Sequence, residues 1–183
     1  RLKSKFSPRK AGETYRLEPS WQTMASRQMQ DSEAVFGAVT LLANTFAAMP
    51  MTIRKGWEEA KEHPLHRVLT YRPAAGYTPY TWMQGMEVCR NATGNAYSYI
   101  SRDGSGTVMS LELLNPAEIE PMRERDTGDL WYRYMPAKDA PTIYIPERSM
   151  LHVRHVTDNA DKGINPLSVL AGSMEYALKM RDF

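Results

Sequence analysis

The chain contains a single cysteine, Cys89, among its 183 residues. That excludes an internal disulfide framework and fits a reducing compartment. There is no G-x-x-x-x-G-K-[ST] phosphate loop and no G-x-S-x-G elbow. Gly104 and Gly106 lie in a turn between two strand patterns, so the dinucleotide fingerprint also fails. No charged-then-apolar signal peptide opens the sequence. Charge is missing altogether between Glu33 and Arg54. Some twenty uncharged residues approach the length of a membrane span. Gly37, Thr40, Asn44 and Thr45 make the run too weakly apolar, and Pro50 cuts it short. It reads instead as a helix buried in a core or between subunits, and no membrane is implied.

What is present is an ordinary globular composition, 42% hydrophobic and 24% charged. The net charge of +2 is unevenly placed. Residues 1–30 hold seven basic side chains against two acidic ones, a net +5. The rest holds 16 basic against 19 acidic, a net −3. Residues 1–30 therefore read as a basic, flexible amino-terminal arm, and residues 31–183 as one domain without a basic nucleic-acid surface.

The centre of that domain is a hairpin from Gly94 to Pro116. Asn95 to Arg102 alternates at period two, with Tyr97 and Tyr99 on one face and Ala96, Ser98 and Ile100 on the other. Asp103-Gly104-Ser105-Gly106 is the turn. Thr107 to Leu114 returns, with Met109, Leu111 and Leu113 on one face, and Pro116 ends the ladder. A two-stranded hairpin is marginal alone, so neighbouring segments must cover it.

Those neighbours are helical before and β after. Asp31-Ser32-Glu33 opens a helix with Val35, Val39, Leu42, Phe46 and Met49 as its apolar stripe, stopped by Pro50. Met51 to Lys55 is a short strand and Gly56 to Lys61 a polar connection. Pro64 starts a short helix carrying Leu65, Val68 and Leu69. Thr78-Pro79 opens another, with Trp82, Met86 and Cys89 on one face and Gly94 at its left-handed end. Strands are expected at Ile119 to Arg125, Leu130 to Met135, Thr142 to Ile145 and Met150 to Val156. Asn165-Pro166 caps a last helix with Leu167, Leu170, Ala171, Met174 and Leu178 on one side, and the chain stops within it. The fold class is α+β: helices packed on a mixed or antiparallel sheet with a central hairpin. The uncharged helix is expected to be covered by its own chain, chiefly by the Trp82/Met86 face and the hairpin.

Candidate chemistry is thin. His63/His66 and His152/His155 are both H-x-x-H pairs. Pro64 puts His63 at a helix start, and His152 and His155 fall on opposite faces of a strand, so neither pair suits a metal. Asp158 and Asp161 follow a strand end. Together with His152 and His155 they define an alternative reading, a metal-dependent enzyme. Tyr97, Tyr99, Trp131, Tyr132 and Tyr134 could stack bases, which with the basic arm defines a second alternative, a nucleic-acid-binding module. No Lys or Arg interleaves Tyr97 and Tyr99, so the tyrosines read first as core pairs. Catalytic, cofactor and metal residues are assigned to none.

Six short stretches, in order, resemble the amino-terminal part of tailed-bacteriophage portal proteins of the HK97 type. They are Ala48-Met49-Pro50-Met51-Thr52-Ile53; His63-Pro64-Leu65 with Leu69-Thr70-Tyr71-Arg72-Pro73; Gly94-Asn95-Ala96-Tyr97; Leu113-Leu114-Asn115-Pro116; Leu151-His152-Val153-Arg154; and Gly163-Ile164-Asn165-Pro166-Leu167. The resemblance implies the wing of a structural, non-enzymatic subunit, part of a longer fold with stem, clip and crown. It implies a homo-oligomeric ring, a dodecamer, at one capsid vertex of the virion, assembled in the host cytoplasm. The implied partners are terminase, capsid or scaffold proteins, head–tail connectors and double-stranded DNA passing non-specifically. Terminase-docking and channel-lining residues are not assigned on this chain. The fragment alone is expected to be mainly monomeric at micromolar concentration.

Overall fold

A computed structural model describes residues 32–136 and 141–170. The amino-terminal arm and the apolar positions of the last helix beyond Leu170 lie outside the described residues. Three helices precede the larger sheets: α1 (Glu33–Ala47), α2 (Pro64–Thr70) and α3 (Pro79–Thr93). The first two strands, β1 (Arg54–Lys55) and β2 (Glu58–Glu59), form a small hairpin before α2. After α3 come β3 (Asn95–Arg102), β4 (Val108–Leu114), β5 (Ile119–Arg123), β6 (Leu130–Tyr134), β7 (Ile143–Pro146) and β8 (Met150–Arg154). Residues 166–170 are helical.

All strand pairs are antiparallel. β3 is central in the order β4-β3-β8, and β6 is central in the order β5-β6-β7. The α+β expectation and the central hairpin therefore hold, and the hairpin gains its third strand from β8. Pro121 sits on β5, an edge strand, where a missing donor is tolerated.

The alternation of β3 places it between two cores. Ala96 and Ile100 join Leu111, Trp82, Met83, Met86 and Cys89 on the helical side. Tyr97 joins Ile119, Leu130, Tyr132, Tyr134, Ile145 and Met150 on the side of the second sheet. The sheet is thus buried on both faces, as the opposed tyrosine and alanine sets require. β6 repeats the pattern, with Leu130, Tyr132 and Tyr134 buried and Trp131 and Arg133 half-exposed.

α3 is built as its residues dictate. Thr78 and Thr81 form a reciprocal capping box, Pro79 occupies the first turn, and Gly94 ends the helix at φ 81°. In α2, His63 is the cap, its Nδ1 accepting from the Leu65 N–H at 3.2 Å. Asp103 closes the β3–β4 turn by accepting from the Ser105 and Thr107 N–H groups, both at 2.9 Å.

Three expectations need correction. Met109 does not face the core with Leu111 and Leu113. The register shifts so that Ser101 faces Ser110 while Arg102 faces Val108, leaving Met109 as the extra residue of a bulge and 59% exposed. Val108 takes its place against the core. Next, residues 51–61 are not a strand followed by a connection. Arg54 pairs with Glu59 and Lys55 with Glu58 around a two-residue Gly56-Trp57 turn. Gly56 at φ 66° allows a turn with glycine in first place. The third correction concerns α1. Its buried residues are Val39, Ala43 and Ala47, small side chains spaced at i, i+4 that let it lie close to α3. Asn44 fixes the approach, accepting from Gln84 at 2.6 Å and from the Tyr80 hydroxyl at 3.2 Å. Leu42, Phe46 and Met49, expected inside, are exposed, as are Phe36 and Leu41. Among the described residues its own chain does not cover them. Periodicity misled because large and small apolar residues occupy different faces of this helix. No helix among the described residues is long and apolar enough to cross a membrane.

Leu111 is 4% exposed at the centre of the helical-side core. Leu111→Ala is expected to lower unfolding free energy by about 2–5 kcal/mol, read from urea titration. Wild-type stability in that variant would mean the strand's buried face is misassigned.

Candidate functional site

Of the polar residues singled out by sequence, His152 and Tyr132 meet at one end of β3 and β8. Asn95, the first residue of β3, is the hub. Its Oδ1 accepts from the Gly163 N–H at 2.7 Å, and its Nδ2 donates to the Gly163 carbonyl at 3.0 Å. This side chain therefore pairs with a distant backbone as a strand would. His155 N–H donates to the Gly94 carbonyl at 2.8 Å, tying the third segment in. The two glycines are obligatory. A Cβ on Gly163 would stand 2.0 Å from the Gly94 oxygen, and one on Gly94 would stand 2.3 Å from the Ile164 oxygen.

His152 extends the network. Its Nε2 lies 3.0 Å from Asn95 Oδ1, and its Nδ1 lies 3.2 Å from the Tyr132 hydroxyl. Asn95 Oδ1 is an acceptor, so Nε2 carries the proton and Nδ1 accepts from Tyr132. The Tyr132 oxygen in turn accepts from Arg154 at 3.4 Å. The Tyr97 ring stacks on the imidazole at 4.2 Å between centroids and meets Tyr132 edge-on at 5.9 Å. Burial first, and the Arg154 charge second, push His152 down to about 3. It is a neutral, structural imidazole.

Asp161 is ion-paired with Arg123, whose Nε lies 2.8 Å from Oδ2, and that hydrogen bond holds its carboxyl below the usual range. Asp158 is exposed, and His155 lies beyond the end of β8. His66 Nε2 lies 3.8 Å from Glu59, while the His63 ring caps α2. Among the described residues no three His, Cys, Asp or Glu side chains converge as metal ligands would. Cys89 is buried and its thiol is pushed up to about 12, far from thiolate character. Tyr97, Tyr132 and Tyr134 are core residues and offer no face to a base.

The arrangement can brace a fold; it has no group poised to transfer a proton or attack a substrate. Sequence reasoning missed Asn95 as a clamp. The signal was available in outline, since Gly94-Asn95, Leu151-His152-Val153-Arg154 and Gly163-Ile164-Asn165-Pro166 are three of the six stretches noted, and they meet here. Asn165 caps residues 166–170 by accepting from Leu167 N–H at 2.9 Å, as its position before Pro166 implied.

The sequence profile of the family described as phage portal protein matches residues 33–183. The chain belongs to the phage portal protein family. It is 23% identical over 154 residues to the portal protein of Enterobacteria phage HK97, covering 81% of this chain and 35% of that one. The fold is similar to a chain in the neck of an empty gene transfer agent (GTA) particle computed with C6 symmetry, at TM-score 0.71 and 18% identity over 87% of this chain and 45% of the other. A chain in the neck of the native GTA particle, computed with C12 symmetry, gives 0.63 and 17% over 91% and 47%. The crystal structure of an HK97 family phage portal protein from Corynebacterium diphtheriae gives 0.50 and 17% over 84% and 49%. The chain thus spans about a third of the curated relative and about half of these structures. The HK97-type resemblance and the α+β portal fold are borne out, and the family is one of structural proteins rather than enzymes.

Two measurements probe the clamp. Gly163→Ala is expected to destabilise by about 3 kcal/mol or more, because backbone would have to separate from backbone. His152 has an ordinary unfolded value near 6.5, above its folded value. Its contribution to stability is full above about pH 6.5 and is lost as pH falls towards about 3. Wild type should therefore lose part of its stability over that window, and His152→Gln should lack that part of the slope.

Proposed function

We propose that this chain is the wing-like part of a portal subunit, with residues 31–183 as the wing domain and residues 1–30 as a basic arm. The subunit works as a member of a homo-oligomeric ring, a dodecamer, at the unique vertex of the capsid. The ring forms the channel through which double-stranded DNA is packaged and ejected, and it joins head to tail. Terminase, capsid or scaffold proteins and connector proteins are its partners, with channel lining and terminase docking carried by parts of the longer subunit. Assembly takes place in the host cytoplasm, and the mature location is the virion neck.

The observation that carries this reading is the match of 91% of the chain to one fold found in a C12-symmetric particle neck. Of the enzyme alternative's residues, His152 is held in the clamp and Asp161 is paired with Arg123. The base-stacking alternative loses Tyr97 and Tyr132 to the core.

Electron microscopy of negatively stained, longer parent protein is the direct test. Rings with a central channel and about twelve subunits are expected, since heterologous contacts close by rotation. A parent that forms only a small dimer under all conditions would remove the portal reading.

A further inference from the structure

One apolar stripe of α1 is covered at one end and open at the other. Val35, Val39, Leu42 and Phe46, continued by Met49, recur at i, i+4, i+7, i+11 and i+14, so they lie on one side of the helix. Val39 is buried in a cluster with Ala92 and Leu167, and Val35 packs against that cluster. The remainder is open, with Leu42 53%, Phe46 40% and Met49 50% exposed among the described residues. Phe46 also borders an apolar cavity of about 180 Å³, shared with Met51, Met86 and Val153.

Leu167 shows which part of the chain is nearest to the open end. It is buried in the covered end of the stripe, within the helical residues 166–170 that Asn165 caps. Residues 171–183 follow it directly and lie outside the described residues. Their sequence carries a matching stripe. Leu170 and Ala171, then Met174, then Leu178 follow Leu167 at helical spacing, and Glu175 and Lys179 fall off that stripe. At ~1.5 Å per helical residue, Met174 and Leu178 stand about 10 and 16 Å beyond Leu167. By the same rise, Phe46 and Met49 stand about 10 and 15 Å beyond Val39. The two stripes therefore start from one buried cluster and keep step.

Direction and occupant follow from the same contact. Towards its amino end α1 offers only Val35 before Ser32, so a helix running that way would leave both stripes in water. Three half-exposed side chains fall well short of the roughly 800 Å² per partner that two free molecules need. A segment already anchored at Leu167 meets the stripe at high effective concentration, so a small area is enough to hold it.

We propose that residues 171–183 continue the helix begun at Pro166 and lie parallel to α1. Leu170 and Ala171 cover Leu42, Met174 covers Phe46, and Leu178 covers Met49. Met174, unbranched and flexible, is suited to the irregular apolar gap beside Phe46. The contact is internal to one chain and does not depend on the ring reading. It makes this side of α1 part of the subunit's frame, closed to neighbouring subunits.

Cross-linking in the 183-residue chain tests it. Met49→Cys with Leu178→Cys places two thiols on the matched stripes. Met49→Cys with Tyr176→Cys places the second thiol on the far side of the same helix. Cys89 does not compete, being buried with its thiol pushed up to about 12. With a short bismaleimide, the first pair should join within one chain at least about tenfold faster than the second, because only it is held together. Adding Met174→Glu to the first pair should bring its rate down to that of the second. Equal rates for the two pairs, or no product within one chain, would overturn the contact. A covalent dimer from the first pair would make a second copy the occupant and overturn it as well. The substituted positions are exposed or lie outside the described residues, and circular dichroism matching wild type shows that each variant has folded.

Discussion

Everything described here depends on two stretches of backbone that touch. Gly94 and Gly163 meet where neither can carry a side chain, and Asn95 then hydrogen-bonds the Gly163 peptide from both sides. That contact fixes three things at once. It ends α3, it sets where β3 begins, and it holds the chain leaving β8 against the helix–strand junction. His152 and Tyr132 continue the same network into the second core, so the helical layer, the central sheet and the outer sheet share one polar seam. Low dielectric makes such a network costly to leave half-satisfied, which is why so little freedom is left at this corner.

The local grammar of the chain was readable without coordinates. Caps, prolines and alternation placed α2, α3, β3 to β8 and the capping Asn165 within a few residues, because each follows from a short-range rule. Long-range facts were not readable in that way. Nothing in a period-two pattern says that Asn95 will reach residue 163, since the partner is set by tertiary approach. The bulge at Met109 was invisible because period-two alternation carries no mark of an inserted residue. α1 failed for a different reason. Its pattern was apolar on more than one side, and sequence cannot say which apolar face a helix gives to its own domain. Val39, Ala43 and Ala47 win because small residues permit close approach to α3, and the larger ones are left facing outward. Gly56-Trp57, flanked by two basic and two acidic residues, was readable as a hairpin by charge pairing, yet it passed as a polar connection.

The same comparison explains why the search for catalytic chemistry found residues of the right kind with no reaction to perform. The histidine, aspartate and tyrosine candidates were real features of the sequence. They recur in ordered stretches because the fold needs them as hydrogen-bond hubs, caps and stacking partners. A family of structural proteins asks for rigid shape, and the polar residues of this domain serve it.

Tyr97 lies opposite Leu114 on one side of the central sheet and opposite His152 on the other. The intervening chain, residues 115–151, thus departs along one edge of β3 and comes back along the opposite edge. Its ends are separated by about two strand spacings, roughly 10 Å. Such a lobe has closely spaced ends and packs its core on Tyr97 and Leu114 of the central sheet. Lengthening its distal turns would add little closure entropy, because that cost grows only logarithmically with length. The clamp and the helical layer draw on the lobe chiefly through Tyr132 and Leu151. The length of those turns can therefore change while the frame that positions the lobe stays unchanged.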